Sequence, residues 1–452
     1  MDIIIAGCGK IGSTLIASLV EEGHDVTALD IEQTMLEEIL NVHDVIGVAG
    51  NCTDCATLTE ARINEAELFI AVTGSDETNM LSCFLAKRMG AKQTIARIRN
   101  PEFNDDSLVF LRKELDISMA INPDRLAAQE LYNILKFPSA EKIEYFSRRN
   151  FEMIELRLKP DSQLDGISLI EMRKKYSAKV LVCAVQRDDE VFIPNGSFVL
   201  KSGDKIGITA TSQEILKLFK ELNVYQKQAK DIMILGGSRI AYYLTKLLVN
   251  GGSNVKVIDK DPEVCQYFSE ELPKATIIYG DGAHQELLLE EGIKDTSAFI
   301  ALTGMDEENI LISVLASSFD VPKVIAKVNR DELHGLAENV GLDTLVSPRK
   351  IVSDVVVRYA RALRNSLGSN IETLYRLMDD RVEASEFRIT ADFGALETPL
   401  KDMKLKPNIL IAGIIRDKKP IIPTGNDVLL TGDKVIIIAA DRRILEVGDI
   451  LI

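Results

Sequence analysis

The stretch that decides the fold is the opening one, MDIIIAGCGKIGSTLIASLVEEGHDVTALD, residues 1–30. An apolar run, Ile3-Ile4-Ile5, leads into Gly7-Cys8-Gly9-Lys10-Ile11-Gly12. An amphipathic stretch follows, and a second β-branched run ends at Asp30. That order reads as strand, glycine turn, helix and strand, the start of a parallel α/β sheet. In such a turn the first glycine permits the bend, the second lets a pyrophosphate approach the backbone, and the third lets helix pack on strand. A phosphate there would sit at a helix N-terminus, where free N–H groups and the dipole favour an anion. Asp30, followed by Ile31, stands where a carboxylate meets ribose hydroxyls. Its charge disfavours a 2′-phosphate, so NAD(H) or an adenosine nucleotide is expected over NADP.

The motif recurs as DIMILGGSRIAYYLTKLLVNGGSNVKVID, residues 231–259, so that Gly236 and Asp259 stand 229 positions after Gly7 and Asp30. Further on, IAVTGSDETN at 70–79 returns as IALTGMDEEN at 300–309. So long a spacing means a duplicated multi-element module rather than a solenoid.

In the first copy, strands are expected at Asp2–Ala6, Asp25–Asp30, Asp44–Ala49, Leu68–Val72, Thr94–Ile98 and Ile117–Ile121, with helices such as Ile11–Glu22 and Asp76–Met89 between them. This alternation predicts a doubly wound parallel sheet. Pro123 then opens a helix with Leu126, Leu131, Ile134 and Leu135 on one face, and Pro138 marks its end. Its apolar stripe is expected to pack on another subunit. From Phe151 the pattern becomes strand, strand, a polar turn at Asp188-Asp189, strand and a closing helix over Ser212–Leu222, a small α+β unit. It too recurs: Arg187, Pro194 and Gly203-Asp204 match Arg416, Pro423 and Gly432-Asp433. Four domains follow: 1–138, 139–225, 226–367 and 368–452, with a linker near Asn223–Lys230.

The ends of the later strands should line the same crevice as the glycine turn. Asn51-Cys52 would meet the adenine, Thr73-Gly74 a ribose or phosphate, and Arg97 a phosphate. The second copy offers Gly236-Gly237-Ser238-Arg239-Ile240, Asp259, Asp281-Gly282, Thr303-Gly304 and Lys327. Ser238 stands where the second glycine should be and Ala241 where the third should be, so an altered pose or a different nucleotide is expected there. Asp76-Glu77 and Asp306-Glu307 read as helix-dipole partners rather than as metal ligands. Cys52 and Cys55 have the spacing of a redox pair, but the reading is coincidence. His24, His43, His284 and His334 are scattered without metal spacing and are expected at the surface.

The 452 residues carry a net charge of −16, which argues against nucleic-acid binding, since phosphate demands a basic footprint. No apolar run approaches a membrane span, no leader peptide is apparent, and six cysteines in so long a chain suit a reduced cytoplasm. No His, Lys or Tyr stands out as an acid or base for hydride transfer, so a binding protein is preferred to an enzyme.

The order of the four domains, together with GCGKIG, VTGSDETNMLSC and IPNG with a following GDKI, resembles the TrkA-type regulatory subunits of prokaryotic potassium uptake, built of RCK (KTN) domains with TrkA-N and TrkA-C portions. The resemblance implies a cytoplasmic protein peripheral to the membrane. It would form a homo-oligomeric ring, a tetramer, beneath a Trk-type potassium transporter and gate it on binding NAD(H) and, in many members, ATP or ADP. The alternatives are an NAD-dependent oxidoreductase with a duplicated cofactor domain, and a regulator of some other cation transporter.

Overall fold

Two six-stranded parallel sheets, each followed by a five-stranded antiparallel sheet, make up the computed structural model of the chain. It describes residues 1–452 except 102, 104, 137–139, 147–150, 189, 225–228, 343, 366–370, 379–380, 442–443 and 445, and the side chains of 105, 106, 144, 145, 365 and 371–376 are likewise left aside. The expected helix end at Pro138, the turn residue Asp189, half of the linker and all three domain boundaries lie outside the described residues.

The first module runs β1 (Asp2–Ala6), α1 (Lys10–Glu21), β2 (Asp25–Asp30), α2 (Gln33–Leu40), β3 (Ile46–Ala49), α3 (Cys55–Glu60), β4 (Leu68–Ala71), α4 (Asp76–Arg88), β5 (Gln93–Arg97), α5 (Asp105–Glu114), β6 (Met119–Ile121) and α6 (Pro123–Lys136). Its sheet order, β3-β2-β1-β4-β5-β6, reverses direction between β1 and β4 and so opens a crevice at their carboxyl ends. The central strands β1, β4 and β5 are buried on both faces, which is why β1 and β4 read as continuous apolar runs.

The first small domain comprises β7 (Lys142–Phe146), β8 (Phe151–Arg157), α7 (Leu169–Lys175), β9 (Leu181–Arg187), β10 (Glu190–Phe192), β11 (Lys205–Ala210) and α8 (Ser212–Glu221). The strand β7 has no counterpart in the sequence reading. The second module repeats the first as β12 (Asp231–Leu235), α9 (Arg239–Asn250), β13 (Asn254–Asp259), α10 (Pro262–Glu271), β14 (Thr276–Tyr279), α11 (Gln285–Glu290), β15 (Ala298–Ala301), α12 (Asp306–Ser318), β16 (Val324–Lys327), α13 (His334–Asn339), β17 (Leu345–Val346) and α14 (Pro348–Asn365). Last come β18 (Ile371–Leu377), β19 (Val382–Arg388), β20 (Ile409–Arg416), β21 (Lys419–Ile421) and β22 (Lys434–Ala440). In each small sheet an arginine clamps the turn before the last strand: Arg187 to Asp204 and Arg416 to Asp433, both at 2.7 Å.

The modules exchange their last helices. Ala127, Ala128, Leu131, Ile134 and Leu135 of α6 enter the core of the second module, with Tyr242, Leu244 and Leu248 of α9. Reciprocally, Val352, Val356, Val357 and Ala360 of α14 enter the core of the first, with Leu15, Ile16 and Leu19 of α1. The apolar face of α6 is thus covered by the same chain, not by another subunit as expected. The duplication supplies within one polypeptide the partner that a single module would have needed. The two small sheets also pack face to face, burying Phe146, Phe151 and Met153 against Val382, Ala384, Ile436 and Ile438.

Candidate functional site

The glycine turn is built by close approach. Gly7 has φ +100°, and a Cβ on it would lie 2.8 Å from the Thr73 nitrogen. A Cβ on Gly12 would come within 1.8 Å of the Gly7 carbonyl oxygen, so α1 can sit this close only on glycine. Around Gly9 there is open space. Gly9 is also the N-cap of α1 and supplies no side-chain cap, which leaves the first amides of the helix available to a ligand.

Asp30 holds two backbone amides of its own module. Its Oδ2 accepts the Cys8 amide at 2.5 Å and its Oδ1 the Glu32 amide at 3.0 Å. The Cys8 thiol is buried; burial first, and the Asp30 charge second, push it up to about 12. Asn51 accepts both the amide and the hydroxyl of Thr53 at 2.9 Å, shaping the loop after β3 over the buried Cys52.

After β4, the amide and hydroxyl of Thr73 both donate to Asn79 Oδ1 at 2.8 Å, while Asn79 Nδ2 donates to the Arg97 carbonyl at 2.9 Å. The wholly buried Asn79 therefore pins this loop to β5. Arg97 donates to the Thr73 carbonyl, but its Nε is buried without a partner. Burial, then the neighbouring Arg99, lowers its guanidinium to about 10. Asp76 accepts the amides of Arg99 and Asn100, each at 2.8 Å, so its task is to clamp the loop after β5.

These elements surround a cavity of about 830 Å³. Gly7, Gly9, Lys10, Ile11, Asp30, Ile31, Asn51, Cys52, Thr73, Gly74 and Arg97, all assigned from sequence to the first site, line it. Cys8 and Gly12 stand behind as buried supports of the turn. The far wall comes from the second module: Ile240, Lys327, Asn329, Pro348 and Arg349. Lys327 and Ile240, assigned from sequence to the second site, thus face the first. The exchange of α6 and α14 turns the crevices toward each other.

The second module repeats the framework. Asp259 accepts the amides of Gly237 at 2.5 Å and Asp261 at 2.8 Å, Asn309 accepts the Thr303 amide at 2.9 Å, and Lys327 donates to the Thr303 carbonyl. Asp306 accepts the amides of Asn329 and Arg330. Gly236 keeps its positive φ and Gly304 its open surroundings. Asp281 Oδ1 accepts the Ala283 amide at 3.0 Å, and Gly282 lies against Leu235. The difference is at the turn. Ser238 Oγ accepts the Ala241 amide at 3.3 Å and so caps α9, occupying an amide that is free at α1. Arg239 follows as the first residue of that helix.

Sequence reading passed over Arg99, Asp124, Asn329 and Arg349, which also line the cavity. A signal existed: Asp124 and Arg349 follow the equivalent prolines, Pro123 and Pro348, that open α6 and α14. Asp124 Oδ2 and Arg99 Nε are buried without partners. The histidine expectation fails at His24, which is 6% exposed with both ring nitrogens unpartnered. Cys52 is buried, with its thiol pushed up by burial, whereas Cys55 is exposed; a reactive pair would need a lowered thiol. Among the described residues no group of His, Cys, Asp and Glu could hold a metal, and no helix is long and apolar enough to cross a membrane.

The TrkA-N domain family matches residues 3–123 and 232–348, and the TrkA-C domain family matches 153–223 and 384–452. The chain is 32% identical over 450 residues to a Trk system potassium uptake protein TrkA homolog of Archaeoglobus fulgidus, covering 100% of both. It is 27% identical over 446 residues to Trk system potassium uptake protein TrkA of Haemophilus influenzae, covering 98% of this chain and 96% of that one. In fold it is similar to the GsuK channel bound to NAD, with a TM-score of 0.63, 17% identity and coverage of 97% of this chain and 76% of that one. It is also similar to GsuK bound to ADP, with a TM-score of 0.50, 16% identity and coverage of 81% and 69%.

Proposed function

We propose that this chain, which belongs to the TrkA family of Trk-system potassium uptake proteins, senses NAD(H) and adenosine nucleotides in the first module's cleft and gates a membrane potassium transporter accordingly. The family is regulatory and non-enzymatic. The observation that carries the reading is the cleft, where an uncapped helix N-terminus faces Arg97, Lys327 and Arg349. A phosphate placed there would relieve the buried, partly unpartnered Arg97. Ile31, 73% exposed at the rim, offers an apolar face to a heterocycle. NAD and ADP, seen on the similar GsuK fold, are of the class that these features suit.

Because the two modules share the walls, a ligand that binds one arrangement of them better than another shifts the population between the two. Ser238 and Ala241 favour a role for the second module as wall rather than as an equal site.

The protein works as a cytoplasmic homo-oligomer, a tetrameric ring on the inner face of the membrane beneath its Trk-type partner. Leu81, Val109 and Phe110 on α4 and α5, and Leu311 and Leu336 on α12 and α13 with Val340 just beyond, are exposed at similar places of the two modules and would supply the contacts between chains. The test is calorimetry with NAD, NADH, ATP and ADP, followed by potassium flux through the reconstituted transporter. Absence of binding to the wild type, or flux indifferent to every nucleotide, would refute the reading.

A further inference from the structure

The helix α14 belongs by sequence to the second module, packs on the first, and ends against the second small domain. Its N-terminal residues Pro348 and Arg349 line the cleft. Twelve residues on, about 18 Å along the helix, Arg361 is 3% exposed and grips two carboxylates. Its Nε and Nη2 donate to Glu22 at 2.6 and 2.9 Å, at the end of α1 in the first module. Its Nη1 and Nη2 donate to Glu383 at 2.7 and 3.1 Å, in β19 of the second small domain. One guanidinium thus joins three domains, with every one of these bonds away from water.

The other half of the molecule lacks this junction. Counting from Pro123 as from Pro348, the place of Arg361 is taken by Lys136, which lies over the Tyr132 ring at 4.5 Å. The place of Glu22 is taken by Gly251, and that of Glu383 by Glu152, whose strand pairs Ala210 as Glu383 pairs Ala439. Among the described residues Glu152 Oε2 is buried with no partner, while its other oxygen accepts from Ser212 Oγ. A buried ion pair adds little net stability over an apolar contact but fixes geometry strongly, because parting it strands a charge. The asymmetry therefore gives the helix that walls the first cleft, and not its counterpart, a rigid tie to a small domain.

We propose that Arg361 is a positioning residue that transmits occupancy of the first cleft to the second small domain: α14 moves with the ligand at Arg349 and carries Glu383 with it. This rests on the reading of the first cleft as a nucleotide site. A ligand that favours one position of α14 then favours one seat of β19, and the coupling is reciprocal.

Arg361→Met would strand two buried carboxylates and endanger the fold. Glu383→Gln is the better probe, since it keeps the shape and leaves Arg361 and Glu22 as a neutral pair. Glu386→Gln, in the same strand but paired with Lys434 at 3.2 Å, is the control. Hydrogen exchange of residues 382–388 is measured on the full chain with and without NAD and ADP. In the wild type and in Glu386→Gln, the bound nucleotide should slow exchange roughly fivefold or more, the lower range of allosteric coupling. Glu383→Gln should bind nucleotide by calorimetry yet lose that response. A response that persists in Glu383→Gln, that vanishes equally in Glu386→Gln, or that is missing in nucleotide-bound wild type overturns the inference. Failure of the wild type to bind either nucleotide overturns the reading on which it rests.

Discussion

The Asp30 carboxylate accepts the Cys8 amide at 2.5 Å, so the residue proposed to meet a ribose braces the glycine turn. Asp259 braces Gly237 in the same way. Asp30→Ala should therefore cost stability, by about 2 kcal/mol for a lost charge-assisted hydrogen bond, as well as nucleotide binding. Asp259→Ala should cost similar stability and spare binding in the first cleft. Urea unfolding and calorimetry on both variants separate the two roles.

Gly12→Ala would force a Cβ against the Gly7 carbonyl, whereas Ala241 already fills the equivalent place. The expected result is a loss of about 1–3 kcal/mol from overpacking together with loss of nucleotide binding. Ala241→Gly should leave binding unchanged. Equal affinity of Gly12→Ala and wild type would contradict the role given to this turn.

Ser238 caps α9, and the loss of a cap differs by replacement. Ser238→Ala should lower stability by about 1 kcal/mol and Ser238→Gly by only a few tenths. Calorimetric melting of the pair decides the matter; identical melting points would show that the hydroxyl does not cap.

His24 is held down to about 4, chiefly by burial and next by the nearby N-terminal amine. A histidine whose folded pKa lies below its unfolded value of about 6.5 destabilises the fold in acid. Its contribution is fully present above pH 6.5 and is lost as pH falls toward 4, by about 3 kcal/mol at most. Wild type should lose stability across that window, and His24→Leu should lose less. Parallel pH profiles would disprove the assignment.

Leu81→Asp and Leu311→Asp place a charge on the exposed faces of α4 and α12. Each should shift the protein toward smaller species in analytical ultracentrifugation without lowering its melting point. A substitution on the buried face of α6, such as Leu131→Asp, should instead unfold the chain.

Much of this was legible because it is local. The strand–turn–helix at Ile3–Gly12 and the aspartate ending β2 need only short-range spacing, and duplication doubled the signal. The twin asparagines Asn79 and Asn309 were passed over, although they repeat as faithfully as the glycines. A buried amide that pins a loop looks like any polar helix residue until its partners are seen. The strand β7 escaped because it follows a helix end that carried no extended pattern of its own.

The sequence by itself determined the two parallel sheets, the two small domains, the first glycine turn and its degenerate copy. Backbone periodicity and glycine sterics act over a few residues and leave their mark in the spacing. Only the tertiary structure decided that α6 and α14 change places, that Lys327 and Arg349 wall the first cleft, and that Arg361 joins three domains. Most of those contacts join residues far apart in the chain, and they exist because the apolar faces of α6 and α14 are buried against α9 and α1 of the other module, a choice that no local pattern records.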